Sequence, residues 1–261
     1  MTPRKEVLAD GVELWCGDCL EILPSLGKVG HVLCDPPYEE ELHAAFGSIR
    51  QIRTDGKHRS RHSELDFESV NQDRGAFASA LVAASDGWLL VFTLAEGIRA
   101  WRDDIQAAGG KWHGSLFWVK PDAAPRFNGQ GPARGAECAA LAWCGSGYRS
   151  WNSGGKRGVY THCVNVGRQG EHPTEKPLPL MGELVLDFTK PGELICDPFC
   201  GSGATGVAAV KAGRRFVGID QNEKWFDLSR RRIEAALKQP DLFVEPPKPA
   251  KQLSLIDGDA A

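Results

Sequence analysis

The chain has 261 residues, 42% hydrophobic and 25% charged, a composition that excludes wholesale disorder and leaves room for a sizeable core. The formal net charge of −3 excludes recognition of nucleic acid by bulk positive charge, so any such surface has to come from local clustering. No apolar run approaches the length of a membrane span, and Met1-Thr2-Pro3-Arg4-Lys5-Glu6 lacks the apolar core of a signal peptide, so a cytoplasmic protein is expected.

In chain order, Val12-Glu13-Leu14-Trp15-Cys16 reads as a strand. Gly17-Asp18 and a short helix from Cys19 to Leu26 follow, with Asp18 available as the helix N-cap. The apolar run Val29 to Cys34 reads as a short buried strand that ends in Asp35-Pro36-Pro37-Tyr38. Proline nitrogens donate nothing to a ladder, and each proline restricts the residue before it. The result is a stiff corner that presents a carboxylate, two carbonyls and an aromatic ring, a set able to hold a planar amine. Within an inserted loop over 39–74, the polar stretch from Ile49 to His62 carries Arg50, Arg53, Lys57, Arg59 and Arg61, with His58 and His62, against only Asp55. A basic loop directly after the corner is placed to contact phosphates, although such runs are most often simply solvated.

Gly75 to Ser85 reads as a helix, Trp88 to Thr93 as a buried strand, and Glu96 to Ala108 as a helix stopped by Gly109-Gly110. Trp112 to Lys120 and Cys138 to Cys144 are further strands, separated by a glycine-rich stretch with Arg126, Asn128, Gln130 and Arg134. The segment 146–170 carries Arg149, Trp151, Asn152, Lys156, Arg157, Tyr160 and Arg168. Leu178 to Phe188 is helical, Leu194-Ile195-Cys196 a strand, Thr205 to Ala212 a helix, Arg215 to Ile219 a strand and Glu223 to Leu237 a charged helix. Alternating strands and helices imply one α/β domain over 1–238, a mostly parallel sheet with helices on both faces, and a Pro-rich tail over 239–261.

A second corner, Asp197-Pro198-Phe199-Cys200-Gly201-Ser202-Gly203, lies between a strand and a helix. Its glycines permit a tight turn and a close ligand approach, as in nucleotide-type sites; a dinucleotide loop or a plain turn is compatible with them alone. Asp220 ends the next strand, where a carboxylate accepts from ribose hydroxyls. Of the eight cysteines, Cys16 and Cys19 form one CxxC that no second close pair follows at zinc-finger spacing, so buried thiols are expected and no metal site.

The two corners, with His172-Pro173-Thr174-Glu175-Lys176-Pro177 just before the second, resemble the amino-methylating DNA methyltransferases that act on N6 of adenine or N4 of cytosine. The resemblance covers roughly 12–38 and 171–236, and the order, DPPY before the glycine loop, is similar to the circularly permuted beta group. It implies a Rossmann-like fold that binds S-adenosylmethionine. It also implies catalysis by Asp35, Pro36, Pro37 and Tyr38 on a base flipped out of double-stranded DNA. By the same resemblance the cofactor meets Asp18, Asp35, Thr174, Lys176, Asp197, Phe199, Gly201, Gly203 and Asp220. DNA contacts are expected from Arg50, Arg53, Lys57, Arg59, Arg61, Arg126, Arg149, Lys156 and Arg157, with target recognition in 146–170 and either the second subunit of a homodimer or the 39–74 insertion sharing the work. Aspartate rather than serine at position 35 favours adenine, and the resemblance is compatible both with a restriction-modification setting and with a methyltransferase that acts alone. Alternatives are cytosine, RNA or protein amide methylation, and a non-catalytic nucleic-acid-binding protein that retains the cofactor fold.

Overall fold

A computed structural model describes residues 3–37, 73–124, 131–164 and 175–239. In chain order the elements are β1 Arg4–Ala9, β2 Val12–Cys16, α1 Cys19–Leu26, β3 His31–Cys34, α2 Arg74–Ala84, β4 Trp88–Thr93, α3 Ile98–Ala107 and β5 Lys111–Val119. They continue as β6 Ala136–Trp143, β7 Val159–Thr161, α4 Leu178–Phe188, β8 Leu194–Asp197, α5 Ala204–Lys211, β9 Arg215–Asp220 and α6 Glu223–Lys238.

The strands make one sheet in the order β1-β2-β9-β8-β3-β4-β6-β5-β7. Its centre, β2, β9, β8, β3 and β4, is parallel. β6 runs antiparallel between β4 and β5, and β1 antiparallel to β2. The α/β fold with a mostly parallel central sheet therefore agrees with the sequence expectation. Period-two patterning explains how both faces are covered. Along β4, Trp88, Leu90 and Phe92 enter one core with Leu184 and Phe188 of α4, Val207 of α5 and Ile233 of α6. Leu89 and Val91 enter the opposite core with Ile22 of α1, Leu81 of α2 and Trp101 and Ile105 of α3. A strand buried on both faces reads as the continuous apolar run WLLVFT.

Two short strands were not anticipated. β1 pairs with β2 across a two-residue Asp10-Gly11 turn, with Ala9 opposite Val12 and Gly11 at φ 69°. That Asp-Gly dipeptide is a hairpin signal legible in the sequence. β7 is three residues docked parallel to β5, too short for any periodicity to mark.

From β8 the chain goes through α5 to β9 on one side, while from β3 it goes by way of α2 to β4 on the other. β8 and β3 are neighbours, so the sheet switches direction between them. The crevice at their carboxyl ends is where open α/β sheets hold ligands. No helix among the described residues is long and apolar enough to cross a membrane.

Candidate active site

Sheet register lines up four aspartates along the carboxyl edge. Asp35 directly follows β3 and Asp197 ends the adjacent β8, with Val32 opposite Cys196. Asp220 ends β9, opposite Cys16 of β2, and Asp18 comes two residues after Cys16. All four residues therefore lie at the carboxyl ends of neighbouring strands, beside the crevice.

Their roles differ. Asp18 caps α1 by accepting the Leu20 N–H at 2.8 Å, while the Gly17 N–H donates to the Asp220 carbonyl at 3.0 Å. Asp197 is buried and accepts from Thr205 Oγ1 at 2.5 Å and from the Phe199 N–H at 3.1 Å, which ties the second corner to the start of α5. Burial outweighs these donors and pushes its carboxyl up to about 7. Asp220 accepts from the Gly201 N–H at 2.8 Å and the Asn222 N–H at 2.9 Å, and burial raises it to about 6. The glycine loop is thus strung between two carboxylates. Gly203 sits at φ 79° with Ser229 Cα only 2.9 Å from where a Cβ would lie, so no side chain fits there. The Phe199 ring packs edge-on against Phe77 of α2, with centroids 5.2 Å apart.

Lys176 is buried against the first corner. Its ammonium donates to Asp35 Oδ2 at 2.5 Å, lies 3.4 Å from Glu137 Oε2, and sits 4.9 Å from the Phe92 ring centroid. Burial alone lowers its pKa, but the carboxylates of Asp35 and Glu137 outweigh burial and hold it above the ordinary lysine value. Glu137 is also paired with Lys120. Next in the chain, Glu175 is buried against Arg232 of α6 at 2.5 Å, and Arg232 also donates to the Ser202 carbonyl at 2.8 Å. One clamp therefore joins the segment after residue 174, the last helix and the glycine loop. Glu175, Arg232, Glu137 and Lys120 were missed by sequence reasoning. Glu175 was visible in the HPTEKP segment; Lys120 and Glu137 meet only because β5 and β6 pair antiparallel.

The expected DNA contacts divide. Arg149 follows β6, whose last residue Trp143 pairs with Trp88 at the start of β4, and it bonds His113 near the start of β5 at 2.7 Å. That is the end of the sheet opposite Asp35, so the fold does not bring Arg149 to the crevice. Lys156 is bonded to Glu183 at 2.6 Å and to Asp187, both on α4, and lies over the Tyr160 ring at 4.6 Å. Its charge is neutralised within a network that fastens 152–162 to α4. Asn152 donates to the Leu186 and Thr189 carbonyls, and His162 meets Glu183. Arg157 is exposed beside β7. Tyr38, Arg50, Arg53, Lys57, Arg59, Arg61, Arg126 and Thr174 lie outside the described residues. The described cysteines are free, and no cluster of His, Cys, Asp and Glu suited to a metal occurs among the described residues.

A doubly wound sheet with an acidic carboxyl edge and a glycine loop beside an Asp-Pro-Pro corner defines a nucleotide-type ligand site by fold. Residues 29–231 match the DNA methylase family of N6 and N4 amino-methyltransferases. The chain belongs to that family. Type II methyltransferase M2.DpnII of Streptococcus pneumoniae is 50% identical over 66 residues, and M2.MboI of Moraxella bovis 48% identical over 64. These matches span 25% and 24% of this chain, and 25% and 23% of the respective relatives. The M1.HpyAVI–SAM complex superposes with a TM-score of 0.63 at 21% identity, covering 84% of this chain and 98% of that one. The cytosine-N4-specific PvuII DNA methyltransferase gives 0.61 at 15% identity, covering 87% and 91%. The S-adenosyl-L-methionine complex of the TTHA0409 DNA modification methylase from Thermus thermophilus gives 0.58 at 20% identity, covering 86% and 95%.

Proposed function

We propose that this protein transfers a methyl group from S-adenosylmethionine to the N6 amine of an adenine flipped out of double-stranded DNA. The observation that carries this reading is the juxtaposition of the Asp35-Pro36-Pro37 corner with the glycine loop, on adjacent strands at the switch point. Family membership supports DNA as the substrate, and the M1.HpyAVI and TTHA0409 complexes support the cofactor. The motif order supports the circularly permuted beta-type arrangement.

The chain's own groups fit such a cofactor. Asp220 offers carboxylate oxygens at the end of β9 for ribose hydroxyls, Asp18 lies beside it just after β2, and the row of carboxyls suits a ligand bearing cationic centres. Phe199 walls the crevice from the α2 side, and Gly201 and Gly203 put no side chain between the loop backbone and a ligand. S-adenosylmethionine supplies the electrophilic methyl when bound.

Asp35 and the Pro36 carbonyl accept the two N–H bonds of the target amine. An aromatic amine delocalises its lone pair into the ring, and these acceptors favour the pyramidal nitrogen that attacks. They also stabilise the positive charge that develops on it. Tyr38 stacks on the base, which has to leave the duplex for its amine to be reached. Arg50, Arg53, Lys57, Arg59 and Arg61 contact phosphates around it, joined by Arg126 and Arg157, and a second subunit contributes further DNA contacts.

Aspartate at position 35 favours adenine; the equally good superposition on a cytosine-N4 enzyme keeps cytosine as the second reading. Mass spectrometry of nucleosides from unmethylated DNA, incubated with protein and labelled S-adenosylmethionine, tests this. Labelled N6-methyladenine is expected. Labelled N4-methylcytosine would overturn the base assignment, and no labelled nucleoside the DNA reaction.

A further inference from the structure

Four charged side chains from four separate parts of the chain form a continuous row into the first corner: Lys120 after β5, Glu137 on β6, Lys176 before α4 and Asp35 after β3. They are largely shielded, with side-chain exposures of 14%, 15%, 7% and 22%. Only Asp35 belongs to the corner itself. A carboxylate has room for about four hydrogen bonds, so Lys176 on Oδ2 leaves acceptor capacity for an incoming amine while fixing the plane of the group. Asp35 and Glu137 together hold Lys176 as a buried cation. The charges around this row are Glu137 from β6, Lys120 behind Glu137, Glu175 next to Lys176 in the chain and already committed to Arg232, and Asp197 at the end of β8, which acts on Asp35. The Phe92 ring closes the remaining side.

We propose that Glu137 is a positioning residue for methyl transfer: acting through Lys176, it fixes the orientation of the Asp35 carboxylate that receives the target amine. This rests on the reading of Asp35 given above. Without the Glu137 carboxylate, the ammoniums of Lys120 and Lys176 are left facing each other in a shielded space. Lys176 then either loses its proton more readily or swings away, and Asp35 loses its tether. A loosened catalytic group misplaces the amine relative to the methyl, and misplacement on the scale of an ångström lowers rate far more than it lowers binding.

The test compares wild type, Glu137→Gln and Glu137→Asp in the full chain. The readouts are S-adenosylmethionine binding by calorimetry, kcat for DNA methylation, and kcat/KM from neutral to alkaline pH. For Glu137→Gln, kcat is expected to fall by about 10- to 100-fold with the cofactor still bound. The alkaline limb of its profile should move to lower pH, and Glu137→Asp should restore much of both. Wild-type kcat and an unmoved limb in Glu137→Gln would overturn the proposal. So would equal losses in both variants that track lowered thermal stability with the limb unmoved. A wild-type protein that binds cofactor but methylates no base would remove the reaction and both claims; an active wild type with an indifferent Glu137→Gln removes only this one.

Discussion

Asp197 and Asp220 are carboxyls that burial holds at about 7 and about 6, while both still accept backbone N–H bonds. On unfolding, Asp197 returns to its ordinary value of 3.8. Between those values the folded protein binds the extra proton. This contribution to stability is therefore full below about 3.8 and is lost as pH rises through about 7. Asp197→Asn, which imitates the protonated form, should raise Tm relative to wild type more at about pH 8 than at about pH 5. The same difference at both would show that Asp197 ionises freely in the fold. If Asp220 receives the ribose hydroxyls as proposed, its protonation has a second consequence, because hydroxyls donate more strongly to a carboxylate than to a carboxylic acid. Cofactor affinity measured by calorimetry should fall as pH drops below about 6, and the Asp220→Asn variant should lose this dependence. At this scale the sequence marked Asp35, Asp197 and Asp220 through the prolines and glycines around them. Nothing local marked Glu137 or Arg232, since their partners come from distant elements.

The elements that frame the site are joined by buried charge as well as by apolar packing. The Glu175–Arg232 pair is almost fully shielded, and Arg232 also holds the Ser202 carbonyl of the glycine loop. Arg232→Met leaves a buried carboxylate uncompensated, so a loss of about 3–5 kcal/mol in denaturant unfolding is expected. Cofactor binding should weaken with it; unchanged stability would mean that α6 is held by its apolar stripe alone. The long elements were legible because strong periodicity or a continuous apolar run marks them: α1, β4 and α4 have the bounds expected from sequence. β1 carries no apolar alternation and depends on its Asp-Gly turn, and β7 depends on docking against β5. The segment 146–170 read as one basic unit because charge is visible in sequence and partners are not. In the fold, Lys156 is committed to α4 and Arg149 stands at the far end of the sheet.

For the molecule as a whole, a net charge of −3 and an acidic crevice edge leave DNA attraction to local basic segments. If residues 50–61 neutralise phosphates, replacing Arg53 and Arg59 with Ala should weaken DNA binding across sequences. The slope of log affinity against log salt should fall by about one for each phosphate that is no longer neutralised, with cofactor affinity unchanged. An unaltered slope would move the DNA to another face. Family membership and the shared fold establish the architecture, and the proposed chemistry rests on how the two corners meet at the switch point. The most direct measurement of that claim is single-turnover methyl transfer to DNA by Asp35→Ala, made alongside S-adenosylmethionine binding by the same variant. The account predicts a fall in transfer rate of about a thousandfold with cofactor affinity near that of wild type. Transfer at the wild-type rate would contradict it.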